Sequence, residues 1–87
     1  MKWTVEFTPG SERDLLRLQT ASRLRVARAI AKLEHDPFPT GREKMKGHVN
    51  LWRIRVGDFR VVYAVDESGQ SLTITRIRDR KEVYRDL

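Results

Sequence analysis

Arg53, Arg55 and Arg60 lie close together in the segment Trp52-Arg53-Ile54-Arg55-Val56-Gly57-Asp58-Phe59-Arg60-Val61-Val62-Tyr63. A guanidinium is a planar fork of donors that matches phosphate oxygens and stays charged at any physiological pH. Farther on, Arg76, Arg78, Arg80 and Lys81 form a second basic cluster, broken only by Asp79, with Tyr84 just beyond. From Lys44 to Gly57 the chain carries Lys44, Lys46, Arg53 and Arg55 and no acidic residue, so the local field is strongly positive. Fixed cations stabilise charge that develops on a phosphodiester, and a tyrosine ring offers a surface on which an unpaired base can stack. The chemistry open to these residues is the gripping and polarising of a phosphate backbone.

That chemistry requires the side chains to converge, and the local pattern predicts that they do. Leu51 to Val56 and Phe59 to Val65 read as strands joined by Gly57-Asp58, a pair suited to a tight type II′ hairpin turn. A two-residue turn fixes the register. Val56 then faces Phe59, Ile54 faces Val61 and Trp52 faces Tyr63, all on one face that packs on helices. Arg53, Arg55, Arg60 and Val62 take the other face, with Arg55 directly opposite Arg60. Like charges in that relation cost a few tenths to about 1 kcal/mol, where a sequence shaped only by folding would place a carboxylate. The next strand, Leu72 to Ile77, alternates so that Arg76 and Arg78 would point to the core. A bulge or strand end must therefore re-aim them.

The remaining elements follow from periodicity. Trp3 to Phe7 alternates as a first strand. Thr8-Pro9 opens a helix expected over about Pro9 to Gln19, burying Leu15, Leu16 and Leu18. Thr20 or Ser22 caps a second helix with an apolar stripe of Val26, Ala27, Ile30, Ala31 and Leu33, ended by Asp36-Pro37. Arg13, Arg17, Arg25 and Arg28 read as the solvated face of this helical hairpin. Residues 37 to 48 read as a connecting loop, and about Arg80 to Asp86 as a short C-terminal helix or extension.

The 87 residues suit one domain spanning 1–87. A net charge of +6, with arginine supplying 13 of the 18 basic residues, favours an anionic partner. The absence of cysteine excludes disulfides and thiolate chemistry. No membrane span or signal peptide is legible, which makes the cytoplasm the expected location. No convincing set of metal ligands stands out and no cofactor is expected.

The Trp52–Tyr63 segment resembles the hairpin of the RelE/ParE superfamily of bacterial and archaeal toxins. Lys44-Met45-Lys46-Gly47 is similar to the superfamily's short basic loop, and Arg78-Asp79-Arg80-Lys81-Glu82-Val83-Tyr84 to the tail of its RelE branch. The resemblance implies an α+β fold of order β-α-α-β-β-β(-α), a helical hairpin packed on a twisted, mainly antiparallel sheet. It implies the toxin of a type II toxin–antitoxin system that cleaves messenger RNA in the ribosomal A site. There the RNA 2′-hydroxyl attacks the adjacent phosphate and leaves a 2′,3′-cyclic phosphate.

By the same resemblance Arg53 and Arg55 match the paired basic residues of the first hairpin strand and Arg60 the transition-state-stabilising arginine. Arg78 matches the proposed general acid, and Tyr84 the tyrosine that orients or stacks on substrate. Lys44, Lys46, Arg76, Arg80 and Lys81 are the RNA-binding candidates. The implied partners are the messenger and the ribosomal A site, and a small RelB-like antitoxin, acidic where it makes contact. The pair would bind its promoter through the antitoxin.

One departure stands out. Well-studied relatives carry a lysine in the hairpin pair as a candidate general base, whereas arginine is not readily deprotonated. The base is then Lys44, Lys46, Lys81, His48 or a ribosomal group, or catalysis is largely electrostatic. Two other readings stay open: a ParE-type inhibitor of DNA gyrase without nuclease chemistry, and a non-toxic nucleic-acid-binding relative.

Overall fold

A computed structural model describes residues 2–79. It holds two helices and a five-stranded sheet: β1 (Thr4–Phe7), α1 (Pro9–Leu16), α2 (Thr20–Leu33), β2 (Glu43–Lys44), β3 (Leu51–Val56), β4 (Phe59–Asp66) and β5 (Ser71–Asp79). The sheet order is β1-β5-β4-β3-β2. β1 pairs with β5 in parallel, and every other pairing is antiparallel. The predicted C-terminal helix, with Arg80, Lys81 and Tyr84, lies outside the described residues. Among the described residues no helix is long and apolar enough to cross a membrane.

α1 starts as its sequence dictates. Thr8 is extended, its hydroxyl accepts from Ser11 N, and Pro9 takes a position where no amide donor is needed. The helix stops at Leu16, earlier than periodicity predicts, because the chain must turn at once into α2. Leu15 and Leu18 take the inward positions, and Leu16 is left 68% exposed rather than buried. Ser11 is fully buried, and its hydroxyl donates to Ile74 O at 2.6 Å, tying α1 to β5.

α2 has Gln19 as its N-cap, with no side-chain capping bond, in place of the predicted Thr20 or Ser22. The short link from α1, not cap chemistry, sets its start. Its buried stripe is Val26, Ile30 and Leu33, at i, i+4 and i+7. Ala27 and Ala31, expected in that stripe, are exposed, and Ala29 packs at its margin instead.

The core lies between α2 and one face of the sheet, where Ile54, Val61, Tyr63, Val65, Leu72, Ile74 and Ile77 are buried. Tyr63 Oη donates to Pro37 O at 2.8 Å and fixes the chain leaving α2. Phe38 then packs edge-on against Trp3 and Trp52, with the Arg42 guanidinium over the Phe38 and Trp52 rings. The expected loop of residues 37 to 48 therefore contains an anchored turn and a short strand, β2, which periodicity cannot reveal in two residues.

Candidate functional site

The hairpin turn behaves as its residues require. Gly57 has φ +60° and Asp58 stays out of the left-handed region, the pattern of a II′ turn. The β3–β4 register is the one that this turn predicts: Val56 opposite Phe59, Ile54 opposite Val61, Trp52 opposite Tyr63, and Arg55 opposite Arg60.

β5 completes the arrangement through an irregularity. Tyr63 pairs with Ile74 and Val62 with Arg76, so Thr75 is an extra residue and the register shifts there. Thr75 Oγ1 donates to Val62 O at 3.2 Å and stabilises the bulge. Beyond it Ile77 turns to the core, while Arg76 and Arg78 join the face of Arg60. The re-aiming that the sequence requires is thus accomplished by one inserted residue.

Two rows of side chains now cross the face. Arg55, Arg60 and Arg78 form one, on three adjacent strands; Glu43, Arg53, Val62 and Arg76 form the next. With strands about 4.8 Å apart, the all-arginine row spans roughly 10 Å. Arg60 occupies its centre, half-buried, with Nη1 buried and lacking a hydrogen-bond partner among the described residues. A desolvated donor with unused capacity, flanked by two like charges, strongly favours an anion. Arg55 is exposed, its Nε reaching Gly57 O at a long 3.4 Å.

Glu43 is the residue that sequence reasoning missed. It sits just outside the acid-free segment, and β2 brings it opposite Arg53, whose Nη2 and Nε donate to Glu43 Oε2 at 2.6 and 3.1 Å. The Arg53 hydrogen bond and charge, with a smaller contribution from Arg60, hold the Glu43 carboxyl below the usual glutamate value. Arg53 is therefore an ion-paired arginine, and a carboxylate stands on the cationic face.

The other basic candidates are dispersed. Lys44 is opposite Trp52, so it lies on the helix side of the sheet edge, away from the arginine rows. Lys46 and His48 are exposed in the turn between β2 and β3. Arg13 and Arg17 are exposed, as read, but they also line a cleft with Arg76 and Arg78. Their only sequence signal is a spacing of four on a helix whose corresponding face is polar.

The arrangement can bind a phosphodiester across three strands and stabilise charge on it. The comparisons agree with a toxin fold. A family model described as the ParE toxin of the type II toxin–antitoxin system parDE matches residues 5–84, and the chain belongs to that family. Within it the form is RelE-like. Toxin RelG of Mycobacterium tuberculosis is 28% identical over 86 residues, which cover 98% of this chain and 99% of the relative. A chain of the archaeal RelE–RelB complex from Pyrococcus horikoshii OT3 superposes with a TM-score of 0.81 at 27% identity, covering 92% of this chain and 97% of its own. The toxin–antitoxin complex RelBE2 from Mycobacterium tuberculosis has the same fold, with a TM-score of 0.80 at 24% identity over 92% of this chain and 100% of its own.

Proposed function

We propose that this toxin is a ribosome-dependent endonuclease that cleaves messenger RNA in the A site. The observation that carries this reading is the Arg55–Arg60–Arg78 row, in which three arginines from adjacent strands stand side by side on one face of the sheet. In the reaction the 2′-oxygen bonds to the adjacent phosphorus as the bond to the 5′-oxygen breaks, giving a 2′,3′-cyclic phosphate and a 5′-hydroxyl. Arg60 and Arg55 stabilise the non-bridging oxygens, and Arg78 stabilises the departing 5′-oxygen until it takes a proton from water. Tyr84 stacks on a base of the substrate, and Lys46, Arg76, Arg80 and Lys81 hold the flanking backbone.

Glu43 supplies a proton acceptor where the hairpin offers only arginine. Its lowered pKa keeps it ionised at neutral pH and makes it a weak base, so most of the acceleration comes from the cations. RelB, the partner of the Pyrococcus relative, points to a RelB-like antitoxin with an acidic segment that covers the arginine rows. The complex binds its promoter DNA through the antitoxin, and both act in the cytoplasm.

The test is induction in cells followed by mapping of RNA 5′ ends on ribosomes. Clustered cuts within A-site codons are expected, and Arg60→Ala and Arg78→Ala should each relieve growth arrest. Toxicity retained by both variants counts decisively against the proposal. A second reading, inhibition of DNA gyrase, is favoured by the ParE description of the matching family model. Intact messages accompanied by broken DNA would select it.

A further inference from the structure

β1 accompanies β5 only along Ser71–Ile74. Past that point the edge of β5 is flanked by α1, and Asp14 Oδ2 accepts from Ile77 N at 3.0 Å. This contact sets one stripe of α1, Gly10, Arg13, Asp14 and Arg17 at i, i+3, i+4 and i+7, against Thr75, Arg76 and Arg78. Between them is an open cleft of about 360 Å³. Among the described residues Arg13, Arg17, Arg76 and Arg78 line it, and Asp14 between them caps the sheet edge. Arg78 belongs both to this cleft and to the arginine row of the sheet, so the two cationic surfaces are continuous.

We infer that the cleft between α1 and the bulged half of β5 is a second phosphate subsite, which takes a backbone phosphate of single-stranded RNA beyond the one bound by the Arg55–Arg60–Arg78 row. This rests on the reading of the chain as an RNA-acting toxin and extends its site around the sheet edge. Arg13 and Arg17 are the specific holders, one helical turn apart. Gly10 borders open space, where a built Cβ meets no atom within 4 Å, so a longer side chain can be introduced there. An RNA backbone is favoured over an acidic peptide because the cleft shares Arg78 with the row, so that linked phosphates of one strand can pass from one to the other.

The test is binding of fully 2′-O-methylated oligouridylates, which cannot be cleaved, at about ten nucleotides and at two. Wild type is expected to bind the longer one more tightly, with a steeper salt dependence. Arg13→Ala/Arg17→Ala should lower that slope by about 0.7 for the one lost phosphate and weaken binding on the order of 5-fold at 0.1 M salt, leaving the dinucleotide unaffected. Gly10→Glu, which fits without strain, should do the same, and Gly10→Gln should not.

Unchanged length dependence in the double variant and in Gly10→Glu overturns the inference. So does binding of polyglutamate that is lost in Arg13→Ala/Arg17→Ala while RNA binding stays intact, which would assign the cleft to a protein partner. Cleavage of unmodified RNA on ribosomes is read separately. Length-dependent binding lost on substitution, in a protein that cuts nothing, supports the subsite and removes the nuclease reading alone.

Discussion

Arg60 works against the fold that holds it. It faces Arg55 on one side and Arg78 on the other, and each such pair opposes folding by a few tenths to about 1 kcal/mol. Arg60→Gln should therefore stabilise the protein by about 1 kcal/mol, raising Tm by about 4–8 °C in a domain of this size, while toxicity is lost. Differential scanning calorimetry beside a growth assay checks both. Glu43 acts in the other direction. Its lowered pKa contributes stability above the ordinary glutamate value, lost as pH falls through the lower folded value. Glu43→Gln should remove that acid limb from a urea-midpoint-versus-pH profile. The Arg55–Arg60 confrontation was legible in the sequence because a two-residue turn dictates register. The Glu43–Arg53 pair was not, because two residues of strand carry no period.

At the scale of elements, the hairpin turn and the β5 bulge place the arginines. Gly57→Ala puts a Cβ at φ +60° and brings it to 3.2 Å from the Arg25 guanidinium, a flexible group that can yield. The backbone conformation then dominates the cost, about 1–2 kcal/mol, which chemical denaturation will report. Arg25, read from sequence only as a solvated helical residue, thus sits over the turn. The need for a bulge was legible in Leu72, Ile74, Arg76 and Arg78, whose alternation runs charge into the core. Its position at Thr75 was not, because it depends on which β4 residue each β5 residue meets. The C-terminal end of α1 and the N-cap of α2 depart from the sequence pattern for a related reason: the short inter-helix link, not propensity, sets them.

For the molecule as a whole, the order of elements and the helical layer over one sheet face followed from the sequence, except for β2. What ties the layers together is less visible there. Tyr63 is fully buried, and burial pushes its pKa up to about 12. The folded state holds this proton after the unfolded chain has released it. Stability is then complete below about pH 10 and is lost as pH rises from there towards 12, by about 2–3 kcal/mol. Tyr63→Phe should flatten the alkaline limb, and it should cost about 1–3 kcal/mol at neutral pH by leaving Pro37 O unpaired. Equilibrium denaturation between pH 7 and 11.5 measures both.

The parallel seat of β1 beside β5 has a kinetic consequence. β3, β4 and β5 are joined by short turns, so the strands bearing the arginine rows meet through local contacts. The junction of β1 and α1 instead reaches β5 across 67 residues, as in the bond from Thr8 Oγ1 to Thr75 O. Closing such a loop costs about 4 kcal/mol of chain entropy before any contact repays it. The cationic face should therefore be organised in the folding transition state, with the N-terminal strand docking afterwards. In a chevron, Val61→Ala should chiefly slow refolding and Val5→Ala chiefly speed unfolding. The capacity to grip a phosphate backbone would then arise earlier in folding than the finished sheet.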